Sequence, residues 1–152
     1  MTLANRCLSV DLKKCQGCLS CMMACSLAHE GEANLSRSRI RVFQNPFERF
    51  PDDLKIHYCL QCAEPLCMQA CPPGAIYADT ENGNVKRINA QECIGCMSCI
   101  TACPYSAMIW DIEKQQALKC DLCMDTPYWN QDKPACAEIC PMKAIEEVRG
   151  SG

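Results

Sequence analysis

The 152 residues carry fifteen basic and eighteen acidic side chains, a net charge of −3 that argues against a nucleic-acid partner. No run approaches the roughly 20 apolar residues of a membrane span, and Met1–Arg6 has no charged stretch leading into an apolar one, so no secretory signal is expected. Seventeen cysteines in a chain long enough for one domain, or two small fused ones, are then read as free thiolates in a reducing, cytoplasmic setting rather than as a disulfide scaffold. Cysteines two residues apart also make poor disulfide partners for one another.

In chain order, the first apolar stretch is Cys7–Val10, predicted as a strand. It leads into motif one, Cys15, Cys18, Cys21 and Cys25, spaced C-x2-C-x2-C-x3-C, with Ser26 after the last cysteine. Gly31 is expected to end a short helix carrying Cys25. Arg39–Phe43 alternates polar and apolar as a half-buried strand does. Arg37, Arg39 and Arg41 recur there at period two, as a solvated strand face or a docking face. Asn45-Pro46 and Phe50-Pro51 punctuate the loop beyond. Motif two is Cys59, Cys62, Cys67 and Cys71, spaced C-x2-C-x4-C-x3-C-P, with Pro65 stiffening its longer loop. Ile76-Tyr77 and Val85–Ile88 flank Asn82-Gly83 and predict a hairpin. Motif three, Cys93, Cys96, Cys99 and Cys103 followed by Pro104, repeats the spacing of motif one, with Gly95 where motif one has Gly17. Both glycines suit a positive φ that brings backbone N–H groups toward sulfur. Met108–Trp110 and Ala117–Lys119 predict a second hairpin. Motif four is Cys120 and Cys123, twelve residues read as an ordered loop containing Tyr128, Trp129 and Pro134, then Cys136 and Cys140-Pro141. Ile145–Val148 is a last strand, and residues 149–152 are expected to fray.

C-x2-C-x2-C-x3-C-P holds a [4Fe–4S] cluster, and in two-cluster proteins its fourth cysteine ligates the other cluster. Sixteen of the seventeen cysteines form four quartets, the number that four [4Fe–4S] clusters require. Four zinc sites of four thiolates each need the same number, but zinc sites typically join two distant C-x2-C knuckles. Each cluster with its thiolates adds about −2, bringing the loaded chain to roughly −11. The fourth-cysteine rule pairs the motifs. Two and three are adjacent, with a hairpin between them, which leaves one and four to pair around them. Cys15, Cys18 and Cys21 then share a cluster with Cys140, and Cys25 joins Cys120, Cys123 and Cys136. Cys59, Cys62 and Cys67 join Cys103, and Cys71 joins Cys93, Cys96 and Cys99. The other scheme pairs one with two and three with four. Degeneration of one cluster to [3Fe–4S] is a further variant. The nested scheme predicts an α+β fold of two bacterial-ferredoxin-like modules with short helices and small β-hairpins. Residues 56–112 form the inner module, 1–33 plus 116–152 the outer, and 34–55 an insert, all in one compact unit 1–152.

The nested order of these four motifs resembles the four-cluster electron-transfer subunits of molybdenum and tungsten oxidoreductases. Residues 29–42 further resemble the small ferredoxin-like subunits that accompany tungsten aldehyde oxidoreductases. The resemblance implies electron transfer in anaerobic metabolism between a tungsten- or molybdenum-pterin catalytic subunit and a flavin subunit that reduces NAD, or ferredoxin. Further copies of the chain in a larger assembly fit the same picture. Subunits of benzoyl-CoA reductase, formate dehydrogenase or hydrogenase are the neighbouring readings; a zinc-stapled interaction module is the one from another class. No nucleophile–base pair or phosphate loop is present, so no catalytic site is expected on this chain. Outside the quartets, Cys7 is read as a buried small apolar residue, and His29 and His57 as structural or surface groups. Met22, Met23, Met68, Met97, Met124 and Met142 are read as packing against cluster walls. Tyr128 and Trp129 are read as an interface or as a lid over the Cys120–Cys123 cluster.

Overall fold

Four two-stranded antiparallel ribbons and four helices frame the cysteine loops in the computed structural model, which describes residues 5–50, 52–124, 126–129 and 133–150. The first ribbon brings distant parts of the chain together. Strand β1 (Asn5–Val10) runs against β8 (Ile145–Gly150), with Cys7 opposite Val148 and Val10 opposite Ile145. Leu8 and Ile145 turn into the core while Ser9 and Glu146 face solvent, the alternation expected of a strand with one covered face. Arg149 is paired with Arg6 in this ribbon, so the fraying predicted from 149 onward does not begin there. Ser151 and Gly152 lie outside the described residues.

The second ribbon departs from expectation at both ends. Strand β2 starts at Arg41 (Arg41–Gln44) and pairs with β3 (Leu54–His57), a partner too short to stand out in the sequence. Residues 35–37 form a 3-10 turn instead, and the buried Ser38 hydroxyl donates to the Ile40 carbonyl, holding 38–40 out of the ribbon. Arg37 and Arg39 are therefore not on a solvated strand face. Their side chains are only 11% and 14% exposed, set among Glu30, Glu32, Asp111 and Glu113. Asn45 N–H donates to Asp53 O (2.7 Å) across the hairpin; Pro51 lies outside the described residues.

The two predicted hairpins are present. Strand β4 (Ile76–Asp79) pairs with β5 (Val85–Ile88), and β6 (Ile109–Asp111) with β7 (Gln116–Leu118). The Asn-Gly turn is wider than two residues, because 80–82 make a 3-10 turn before left-handed Gly83 and Asn84.

Helix length follows the residue after each fourth cysteine. Helices α2 (Leu66–Ala70), α3 (Ser98–Ala102) and α4 (Ala135–Ile139) have five residues each. Pro72, Pro104 and Pro141 push the cysteine before them into an extended conformation, with ψ of 110°, 115° and 115°. Helix α1 (Ser20–Glu30) has Ser26 there and runs for eleven residues. It ends at left-handed Gly31, whose N–H bonds Leu27 O. Its stripe of Cys21, Met22, Cys25, Ala28 and His29 is buried. Helix α1 packs on α4, and α2 on α3. Motif one thus lies against motif four, and motif two against motif three. Five of the twelve residues of the larger core cluster are cysteines, so the core is built partly from ligand side chains. No helix among the described residues is long and apolar enough to cross a membrane.

Candidate metal centres

All four loops use one backbone device. The residue before the second cysteine has a positive φ in each: Gly17 (69°), Gln61 (51°), Gly95 (73°) and Leu122 (58°). Glycine takes this conformation freely; Gln61 and Leu122 do so at a cost of about 1–2 kcal/mol. Gln61 is held by three hydrogen bonds. Its N–H donates to Cys59 Sγ (3.4 Å), its Nε2 donates to Cys120 O (2.8 Å), and its Oε1 accepts from Lys86 N–H (2.7 Å). A second left-handed residue follows each fourth cysteine of motifs two, three and four: Gly74, Ser106 and Lys143. It delivers the next alanine onto the sulfur. Ala75 N–H donates to Cys71 Sγ (3.3 Å) and Ala144 N–H to Cys140 Sγ (3.4 Å). Further amides reach sulfur at Arg39 to Cys25 (3.3 Å) and Ala135 to Cys123 (3.4 Å).

The cysteines fall together as follows. Cys59, Cys62, Cys67 and Cys103 line one cavity, and Cys71, Cys93, Cys96 and Cys99 another. Cys21 feels the charges of Cys15, Cys18 and Cys140, and Cys136 those of Cys120, Cys25 and Cys123. Between groups, Cys21 lies near Cys136, Cys120 near Cys59, and Cys99 near Cys67. The first group thus neighbours the second, the second the third, and the third the fourth. Cys18 and Cys96, the exposed cysteines, belong to the first group and the last.

Burial governs the thiols. It pushes Cys120 and Cys136 well above the ordinary cysteine range, Cys123 to about 12, and Cys21 and Cys99 to about 11. Such groups stay protonated until a cation replaces the proton. Cys25 differs. Burial would raise it, but His29 and Arg39, both by hydrogen bond and by charge, bring it below the ordinary value. His29 Nε2–H donates to Asp121 Oδ1 (3.1 Å) and Nδ1–H to Cys25 O (2.9 Å), 3.7 Å from Cys25 Sγ. Burial would lower His29, but Asp121 and Cys25 outweigh it and raise it to about 9. The ring is thus wedged between the Cys25 thiol and the Asp121 carboxylate, both of which favour its charged form.

The donor set fits iron–sulfur clusters. Lys86 Nζ is buried with no hydrogen-bond partner among the described residues, on the cavity lined by Cys59, Cys62, Cys67 and Cys103. An orphaned buried ammonium needs a nearby negative charge, and a cluster with four thiolates supplies one. Sequence reading missed Gln61, Lys86 and Lys119. Lys86 stands in the alternating run Val85–Ile88, where a lysine reads as solvent-facing, and nothing local marks Gln61.

Cys7 is half-buried, not buried. Met22 is buried and Met97, though half exposed, lines the cavity of Cys71, Cys93, Cys96 and Cys99, in keeping with packing beside the cysteine groups, whereas Met23, Met68 and Met142 are exposed. Tyr128 is exposed, and its ring stands where a Cβ on Gly31 would be. It covers the end of α1. Trp129 Nε1 donates to Lys133 O (2.8 Å). Residues 125 and 130–132 of that loop lie outside the described residues. His57 packs edge-on to Phe43.

Residues 53–149 match the family described as a 4Fe-4S dicluster domain, and residues 12–28 a 4Fe-4S binding domain. The chain belongs to the 4Fe-4S dicluster domain family. It is 39% identical over 127 residues to the polyferredoxin-like subunit of aliphatic sulfonate oxidoreductase of Pyrococcus furiosus, covering 84% of this chain and 66% of that one. It is 33% identical over 142 residues to subunit beta of NADH-dependent phenylglyoxylate dehydrogenase of Aromatoleum evansii, covering 93% of this chain but 30% of that one. The fold is shared with a chain of the BamBC active-site complex of benzoyl coenzyme A reductase with benzoyl-CoA, at a TM-score of 0.54 and 22% identity over 94% of this chain and 78% of that one.

Proposed function

We propose that this chain is the electron-transfer subunit of an oxidoreductase complex, carrying four [4Fe–4S] clusters in a row and no catalytic site of its own. What supports the reading is that the four cysteine groups neighbour one another in succession, with the exposed cysteines, Cys18 and Cys96, in the first and the last. Each cluster, when bound, takes up and gives back one electron. The protein's part is to hold, insulate and order them. Cys15, Cys18, Cys21 and Cys140 would hold the first, and Cys25, Cys120, Cys123 and Cys136 the second. Cys59, Cys62, Cys67 and Cys103 would hold the third, and Cys71, Cys93, Cys96 and Cys99 the fourth. Apolar walls such as Ile76, Ile88 and Trp110 exclude water from the last. Exposed Ile94 and Met97 beside Cys96, and exposed Met23 in the motif that holds Cys18 with exposed Leu12 just before that motif, give each end an apolar rim for a partner.

The finer reading is a tungsten- or molybdenum-pterin subunit oxidising an aldehyde at one end and a flavin subunit reducing NAD, or ferredoxin, at the other, in the cytoplasm. The match to a subunit of an NADH-dependent enzyme supports a nicotinamide-linked acceptor. The fold shared with the benzoyl coenzyme A reductase complex supports that enzyme class as the second reading. Anaerobic purification tests the core claim. Iron and labile sulfide should each approach about sixteen per chain, with broad absorption near about 400 nm. A value near eight sinks the four-cluster reading, and a colourless zinc protein sinks the iron–sulfur reading altogether. The metal of the copurifying catalytic subunit then separates tungsten, molybdenum and nickel partners.

A further inference from the structure

Two cysteine cavities of the same kind lie side by side, yet only one is lined by cations. Around Cys71, Cys93, Cys96 and Cys99 no charged side chain among the described residues lines the wall. Around Cys59, Cys62, Cys67 and Cys103 the wall includes Lys86 and Lys119 and no carboxylate. Lys86 is 2% exposed and Lys119 3%. Lys119 Nζ donates to the carbonyls of Lys86 and Cys120 (2.9 Å for the latter), while the Lys86 amide is bonded to Gln61. These bonds fix the backbone of Lys86 and leave its Nζ without a hydrogen-bond partner among the described residues.

We propose that Lys86, supported by Lys119, raises the reduction potential of the cluster held by Cys59, Cys62, Cys67 and Cys103 above that of its neighbour held by Cys71, Cys93, Cys96 and Cys99. The inference rests on the four-cluster reading. Taking one electron from a reduced neighbour changes this cluster, thiolates included, from about −2 to about −3, while the neighbour is oxidised by one. A fixed positive charge in a low-dielectric wall favours the more negative state. Burial without a counter-ion is what makes the charge effective, since a solvated lysine would be screened. An interior position in the row then becomes the place where an electron waits. That suits a chain joining a two-electron donor to a one-electron path.

The test is an anaerobic EPR redox titration of the whole iron-loaded protein. Lys86→Met should lower one midpoint only. At the wild-type midpoint its reduced-to-oxidised ratio should fall at least tenfold, which is 59 mV for a one-electron couple. Lys86→Arg should keep the ratio within about threefold. Lys114→Met, which removes an exposed lysine bonded to Glu30, should move none. The shifted couple must be the one altered in Cys103→Ser. Full iron with every midpoint unmoved in Lys86→Met overturns the inference alone, whereas an unaltered cluster set in Cys103→Ser overturns the ligand reading beneath it. If Lys86→Met does not retain its iron, Lys119→Met decides: a threefold or larger fall in the same couple supports the inference, and no fall overturns it.

Discussion

Motif one and motif three have the same spacing and nearly the same loops, yet they build different surroundings. Both have a left-handed glycine before the second cysteine, Gly17 and Gly95, and a left-handed apolar residue after it, Leu19 and Met97, which serves as the helix N-cap. Both set a serine, Ser20 and Ser98, whose hydrogen bond lowers the exposed thiol before it, Cys18 and Cys96. They part at one residue. Pro104 stops α3 after Ala102, whereas Ser26 lets α1 run to Glu30. The extra length carries His29 onto Cys25 and Asp121, and Glu30 onto Lys114. The cluster loop is a fixed unit, and the residue after its last cysteine decides whether it closes on itself or reaches across the molecule.

The largest break in that comparison is a ligand swap between motifs. Cys25→Ser should cost one cluster, lowering iron from about sixteen to about twelve per chain. Adding Cys120→Ser should cost no more, while adding Cys15→Ser should cost a second cluster and leave about eight. The motif-three counterpart, Cys103→Ser, should tolerate Cys59→Ser and not Cys93→Ser in the same assay. If the double variant Cys25→Ser/Cys15→Ser keeps about twelve, each motif serves its own cluster and the nested scheme is wrong.

Making motif one resemble motif three comes next. Ser26→Pro removes a helical hydrogen bond from the middle of α1 and should destabilise the holo protein by about 3 kcal/mol or more. Anaerobic denaturation followed by loss of visible absorption measures it. Pro104→Ser only permits α3 to lengthen, and should shift the same curve by no more than about 1 kcal/mol. Equal effects would mean that the length of α1 plays no part in holding motif one against motif four.

The smallest contrast lies in the glycines. A Cβ at Gly95 would stand 2.7 Å from the Gln115 carbonyl, which belongs to backbone. At Gly17 it would meet only Leu54 Cδ2, at 3.2 Å, the end of a flexible side chain. Both substitutions carry the left-handed cost of about 1 kcal/mol, so Gly95→Ala should exceed Gly17→Ala in the same unfolding assay. Cys7→Ser, outside every quartet, should leave iron content unchanged.

The cysteine spacing and the two hairpins were legible before any coordinates, because they depend on local chemistry. Sixteen cysteines in four spaced quartets, three prolines and Asn82-Gly83 each act within a few residues of themselves. Adjacency of motifs two and three also made the nested order of motifs the simplest one. Folding alone settled what depends on distant segments meeting. Pairing of Arg6 with Arg149 joins the first strand to the last. Arg37 and Arg39 look like an exposed strand face in sequence, but the buried Ser38 turn takes them into a cluster of carboxylates from α1 and the β6–β7 turn. Lys86 alternates with its neighbours as a solvent-facing residue would, yet the Gln61 side chain reaches its amide and the residue is buried. Burial of a charge is a property of what packs over it, and no window of sequence around Lys86 contains the motif-two loop that meets it there.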